Sequence, residues 1–379
     1  MENVTLIATL TFGLEAVVKY EILNLGFPKE EVKVSDGKVE FEATLADIPR
    51  ANLWLRSADR VLVKIGQFEA TTFDDLFEQT KALPWEAWIP ANGSFPVIGK
   101  AHKSQLGSVR ACQAIVKKAI VDRLMTAHQV TELPEDGEQY TVQIAMRKDI
   151  ATLTLDSSGS GLHKRGYRTA AGEAPLKETM AAGLVQLSFW NKDRYLVDPF
   201  CGAGTILIEA AMLGRNIAPG LNRSFAAESW PTVPQSAWDE ARQEARDAID
   251  TSSSLQMHGY DIDPEALPIA QQNAINAGVG DDIIFERKDV KDLWIDRQHG
   301  IVITNPPYGQ RLAEFQALNQ IYISLHKTFR KKFGWSVYVL SADRKFPDYF
   351  KRARPDRVRK LYNGTIEVNY YQYYGEKPS

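Results

Sequence analysis

Apolar positions change period along the chain, and each change marks an element. Residues 4–10 form a β-rich run. From about Gly13, Leu14, Val17, Val18, Ile22 and Leu25 recur at spacings of three and four, which puts them on one face of a helix that Gly26-Phe27-Pro28 ends. Strands are predicted over 32–34 and 38–42, joined by Ser35-Asp36-Gly37, where Asp-Gly suits a hairpin turn. A helix over 45–55 and a strand over 61–67 follow. The next helix spans 71–83, with Thr72 as N-cap and Asp74 and Asp75 in its first turn. Then come a strand over 95–101, a helix over 108–125 striped by Val109, Cys112, Val116 and Ile120, and a hairpin over 141–147 and 151–155. Beyond residue 172 strands and helices alternate. Helices are predicted over 175–190, 204–213, 264–277 and 315–332, and strands over 195–197, 256–260, 283–286, 300–304 and 335–340. Two β-rich runs, 358–362 and 365–373, flank Asn363-Gly364, a strong hairpin signal.

The first six elements read β-α-β-β-α-β, the ferredoxin-like order. The alternation after residue 172 predicts a doubly wound, Rossmann-like α/β sheet ending in an antiparallel hairpin. The expected domains are therefore 1–67, ferredoxin-like; 68–160, a second α+β unit; and 161–379, the α/β domain. A stretch rich in Gly, Ser and basic residues over 159–172 reads as a linker, set at 161–174 within the third domain.

Composition bounds the function. The 379 residues are 44% hydrophobic and 25% charged, as in a globular protein with real cores. Two cysteines cannot build a disulfide framework, no apolar run approaches the ~20 residues of a membrane span, and Glu2 and Glu15 stand where a signal peptide would want Lys or Arg. A cytoplasmic protein is expected. The net charge is only −3, but it is unevenly spread: residues 326–360 hold 12 Lys/Arg against 3 Asp/Glu, and 97–170 hold 11 against 7. Local density of this kind, rather than the total, binds phosphates.

The sharpest local signal is Asp198-Pro199-Phe200-Cys201-Gly202-Ala203-Gly204-Thr205, between a strand and a helix. Glycines there let the backbone approach a ligand, and the helix N-terminus offers free N–H groups. A dinucleotide is disfavoured because Leu207 stands where that fingerprint wants Gly or Ala. Moreover, the next strand-end acid, Asp261, comes 59 residues after Gly202 instead of about 20. An Asp before the glycines suits a cofactor bearing an amino group. Asp261 can accept from ribose hydroxyls and Asp289 from an adenine amine, with Asp263 a helix cap. Asn305-Pro306-Pro307-Tyr308 follows the fourth strand, so it reaches the same sheet edge. Exocyclic base amines are poor nucleophiles, because their lone pairs are delocalised into the ring. The Asn305 side-chain oxygen and the Pro306 carbonyl could accept both amine hydrogens and free that lone pair, with Tyr308 a stacking surface. Zinc, Walker and serine-elbow patterns are absent from the sequence, and neither Cys112 nor Cys201 sits where a C5-methylating nucleophile would.

Asp198–Thr205, Asp261 and Asn305–Tyr308 resemble motifs I, II and IV of class I S-adenosylmethionine-dependent amino-methyltransferases. His163-Lys164-Arg165-Gly166-Tyr167-Arg168, Ala174-Pro175-Leu176-Lys177-Glu178-Thr179 and Asn216-Ile217-Ala218-Pro219-Gly220 are similar to THUMP-domain RNA methyltransferases, most of all the bacterial 23S rRNA guanine-N2 family, also labelled N6-adenine-specific DNA methylases. The resemblance implies an RNA-binding THUMP domain over 68–160 and S-adenosylmethionine as cofactor. Asp198, Phe200, Gly202, Gly204 and Thr205 would then surround its methionine end, Asp261 and Ile262 its ribose, and Asp289 and Val290 its adenine. Asn305, Pro306, Pro307 and Tyr308 would hold a flipped target base. The expected activity is methylation of guanine N2 in 23S rRNA. Adenine-N6 methylation of RNA or DNA is the alternative, and a non-catalytic RNA-binding assembly factor the reading from another class. RNA phosphates are expected on Lys164, Arg165 and Arg168 of segment 164–168, and on Arg352, Arg354, Arg357 and Arg359 of segment 327–360. No metal is expected.

Overall fold

The computed structural model describes residues 3–168, 176–307 and 312–376, the side chains of 312–317 excepted. In the front half, β1 (Asn3–Leu10), α1 (Glu15–Asn24), β2 (Lys33–Ser35), β3 (Lys38–Thr44), α2 (Asp47–Trp54) and β4 (Ala58–Glu69) follow the expected order. Next come α3 (Phe73–Lys81), β5 (Val97–His102), α4 (Val109–His128), β6 (Val142–Arg147) and β7 (Ile150–Asp156). Thr72 and Asp75 cap α3 reciprocally, each side chain accepting from the other's backbone N–H at 3.1 Å. The described strands make one sheet, ordered β2-β3-β1-β4-β7-β6-β5. β4 is long enough to pair with β1 on one side and β7 on the other, so it crosses the boundary drawn at residue 67 and fuses the two front units.

The back half contains α5 (Glu178–Gln186), β8 (Leu196–Asp198), α6 (Thr205–Gly214), α7 (Gln235–Asp247), β9 (Met257–Asp261), α8 (Ala266–Asn276) and β10 (Ile283–Arg287). It continues with β11 (Gly300–Thr304), α9 (Leu312–Phe329), β12 (Trp335–Ser341), α10 (Phe346–Tyr349), β13 (Arg357–Asn363) and β14 (Ile366–Tyr373). Its described sheet is ordered β10-β9-β8-β11-β12-β14-β13. The first five strands are parallel and β14 and β13 antiparallel. Every residue of β11 and β12 is buried, as central parallel strands require. Strand order reverses between β8 and β11. Crevices at such reversals, beyond the strands' C-terminal ends, are where open α/β sheets bind ligands. No described helix is long and apolar enough to cross a membrane.

The segment expected as a linker is packed as far as it is described, up to residue 168; residues 169–175 lie outside the described residues. Leu162, Arg165 and Tyr167 are buried between the halves. The Arg165 guanidinium donates to the carbonyls of Leu162 and Arg56 and pairs with Glu209 of α6 at 3.4 Å, and the Tyr167 hydroxyl donates to the same carboxylate at 3.1 Å. Around this pair, Gln186 donates to Glu21 at 2.6 Å, Thr179 to Asp59 at 3.0 Å, and the Gly220 N–H to the Leu53 carbonyl at 2.9 Å. Gly and Ser here serve close packing rather than freedom.

Candidate active site

β8 ends in Asp198, and the chain turns through Gly202 (φ 49°) and Gly204 (φ 80°) into α6. Both glycines sit in the left-handed region. A Cβ on Gly204 would come within 3.0 Å of the Phe285 ring, so the loop lies tight on the sheet, whereas Gly202 faces open space. Phe200 N–H donates to Asp198 Oδ1 at 3.1 Å, Gly202 N–H to Asp261 Oδ2 at 2.9 Å, and Asn273 Nδ2 to the Ala203 carbonyl at 3.2 Å. Asp261, at the end of β9, therefore shapes the glycine loop from the neighbouring strand.

Asp198 is buried. Burial pushes its carboxyl up to about 7, helped slightly by Asp261 and opposed by hydrogen bonds from Thr304 and Phe200. Thr304 Oγ1, at the end of β11, donates to Asp198 Oδ1 at 2.6 Å. That bond ties the cofactor-side acid to the strand that carries Asn305. The Asn305 side-chain oxygen is buried, with no hydrogen-bond partner among the described residues. Pro306 is buried and Pro307 exposed, while Tyr308 lies outside the described residues.

The structure thus brings Asp198, Gly202, Gly204, Thr205, Asp261 and Asn305 to one rim. Phe200 packs on the apolar cluster that includes Tyr322. Ile262 is 60% exposed beside Asp261, an apolar side chain held in solvent. Asp289 caps a short turn, accepting from Lys291 N–H at 3.0 Å and pairing with the Lys291 ammonium at 2.9 Å, which lowers its pKa. Val290 is buried, its carbonyl accepting from Thr328 at 3.0 Å. Asp263 accepts from Glu265 N–H at 2.9 Å within the turn ahead of α8; it does not cap that helix, whose N-cap position is Glu265 with no side-chain cap. Cys201 is buried, and burial drives its thiol far up, so it fills space beside the loop and is no nucleophile.

Sequence reasoning missed Thr304, Asn273, Phe285 and Glu178. The first three support the loop from other strands and helices, which no local motif reveals. Three basic assignments are corrected. Arg165 is closed off by Glu209, and Arg168 pairs with Glu178 at 2.7 Å and donates to Thr205 Oγ1 at 2.8 Å. Neither faces solvent as a phosphate ligand would, because each neutralises a buried carboxylate. Arg352 likewise donates to the carbonyls of Lys332 and Trp335. Lys164, Arg354 and Arg357 remain exposed.

Comparison with known proteins follows this geometry closely. Residues 165–372 match the RMKL-like methyltransferase domain, 5–62 the RlmL ferredoxin-like domain and 70–156 the THUMP domain. The chain belongs to the RMKL-like methyltransferase family. YpsC of Bacillus subtilis (strain 168), provisionally named an RNA methyltransferase, is 48% identical over 378 residues, covering 99% of this chain and 97% of that protein. The ribosomal RNA large subunit methyltransferase K/L of Desulfotalea psychrophila is 34% identical over 96% of this chain but only 52% of its own length. The chain thus spans about half of such K/L relatives. A solved relative, SMU.472, carries S-adenosylhomocysteine; it is 40% identical and covers 100% of both chains with a TM-score of 0.93. Membership bears out the family resemblance, the THUMP domain and the methyltransferase fold.

Proposed function

We propose that this methyltransferase transfers a methyl group from S-adenosylmethionine to an exocyclic base amine of RNA, guanine N2 of 23S rRNA in the first place. The observation that carries the reading is Asn305, whose side-chain oxygen is buried and unpartnered among the described residues at the end of β11. Leaving a buried acceptor unpaired costs about 1–3 kcal/mol, and an amine N–H brought to it would recover that cost. The Asn305 oxygen and the Pro306 carbonyl accept the two amine hydrogens and turn the nitrogen lone pair toward the incoming carbon. A carbon–nitrogen bond forms as the sulfur–carbon bond breaks, and the amine proton, now acidic, leaves to water. Tyr308 provides the stacking face for the flipped base.

The loop fits the cofactor. Asp198 would hold the ammonium, Gly202 leaves a space without side chain, Asp261 and Ile262 would hold the ribose, and Asp289 and Val290 the adenine. Bound there, S-adenosylmethionine supplies an electrophilic methyl group on its sulfonium. Its relatives' names support RNA as the substrate class, and the THUMP region supplies the second surface such a substrate needs. The test is nucleoside mass spectrometry of ribosomal RNA from cells lacking the gene. Loss of a 2-methylguanosine is expected; loss of a 6-methyladenosine instead, or of neither, would overturn the choice of base.

A further inference from the structure

A flipped target base leaves neighbours in the RNA that need a surface of their own. Phe12, in the turn between β1 and α1, is 47% exposed. Its ring meets that of Tyr362 in β13 edge to face, with centroids 6.1 Å apart and planes at 72°. The pairing is fixed by the backbone: Gly13 has φ +97°, and a Cβ there would sit 2.6 Å from the Lys360 carbonyl oxygen. One aromatic thus comes from each half of the molecule, and neither is used up in a core.

Their position follows from topology. β14 runs antiparallel to β12, with Asn369 opposite Ser341 and Glu367 opposite Tyr362, so Tyr362 reaches the same rim as Asn305. Three strand spacings separate β11 from β13, about 14 Å. That is too far for the target base and suits a flanking nucleotide. On the other side, Glu15 accepts from Gly13 N–H at 2.8 Å and Gly37 N–H at 3.1 Å. Gly37 and Lys38 in turn line a groove of about 500 Å³ on the open face of the front sheet, with Asp36, Lys100, His102 and Arg147 along it. Asp36 pairs with Arg147 at 2.7 Å and Glu40 with Lys38, so Lys100 is the cation left to carry the groove's excess positive charge. Lys100 has no carboxylate partner among the described residues, and burial together with Lys38 and Arg147 lowers its pKa. Lys360 lies 5.5 Å from the Tyr362 ring centre.

We infer that Phe12 and Tyr362 form a stacking step for the base of a nucleotide flanking the target, where single-stranded RNA passes from the cationic front groove to the catalytic rim. The inference rests on the RNA reading above. Aromatic stacking tolerates any base, so the step sets affinity for unpaired flanking RNA rather than the choice of target.

Steady-state methyl transfer to 23S rRNA from cells lacking the gene tests it, with the wild type, Phe12→Ala, Tyr362→Ala and Phe12→Trp. Each alanine variant is expected to raise KM for RNA about tenfold, with kcat and S-adenosylmethionine affinity nearly unchanged, while Phe12→Trp keeps the wild-type KM. Wild-type transfer to RNA with unchanged KM in both alanine variants would overturn the stacking step and leave the RNA reading intact. So would an equal KM rise in Phe12→Trp, which would point to packing. A wild type that methylates no RNA would overturn both.

Discussion

Asp198→Asn should make the cofactor-free protein more stable above neutral pH while destroying its cofactor affinity. Burial lifts the Asp198 carboxyl from 3.8 to about 7, so the folded state keeps a proton that the unfolded chain releases about three pH units earlier. Between those values the folded state binds more protons, and stability falls as pH rises through the window by up to ~1.4 kcal/mol per unit. The accumulated loss is roughly 4 kcal/mol above pH 7 relative to pH 4. Asparagine carries no such titration, and its side-chain oxygen can still accept from Thr304 and from Phe200 N–H. Urea unfolding without cofactor, at unit steps from pH 4 to 8, reads the difference directly. The variant should match the wild type near pH 4 and gain on it steadily to about pH 7. Calorimetry at pH 8 should show S-adenosylmethionine binding lost in the variant. In the wild type, affinity should climb about tenfold per unit up to pH 7 and then level, because the ammonium needs the ionised acid. A stability difference that does not change with pH, or a wild type more stable than the variant at pH 8, would refute the buried-acid argument.

Asn305→Ala should lower kcat by about 100-fold or more while leaving cofactor affinity within a few-fold, because it removes one preorganised group from the reacting nitrogen; transfer assays and calorimetry on one preparation check it. Glu209→Ala strands the buried Arg165, since the pair is only 2% and 0% exposed, and should cost about 3–5 kcal/mol in denaturant unfolding. Arg165→Met combined with Glu209→Leu should cost much less than the single change. Replacing exposed Arg354 and Arg357 by Ser should flatten the salt dependence of RNA binding by about one unit of slope for each phosphate the arginines no longer neutralise; an unchanged slope would mean these charges only face solvent.

Most of this architecture is legible in the chain because the relevant signals are local. The Asp-Gly and Asn-Gly turns, the Thr72 cap and the run Gly300–Thr304 dictate their structures without help from distant residues. α7 (Gln235–Asp247) escapes such a reading because its buried face is Ala237, Trp238, Ala241 and Ala245, three alanines too weakly apolar to stand out against eight charged or amide side chains. The stretch before residue 168 misleads for a related reason. Its basic residues look solvated until Glu178 and Glu209, some 10 and 44 positions away, close on Arg168 and Arg165. At the site, Asp198, Asp261 and Asn305 announce themselves by strand-end position. Thr304, which joins Asp198 to the Asn305 strand, does not, because a threonine ending a strand has no signature until β8 and β11 are seen side by side.

The most direct test of the account is transfer of labelled methyl from S-adenosylmethionine to unmodified 23S rRNA by the purified protein, followed by digestion and identification of the labelled nucleoside. The label should run with 2-methylguanosine and vanish with Asn305→Ala. Label on a ribose or a ring carbon, or full transfer by Asn305→Ala, would contradict amine methylation at this rim.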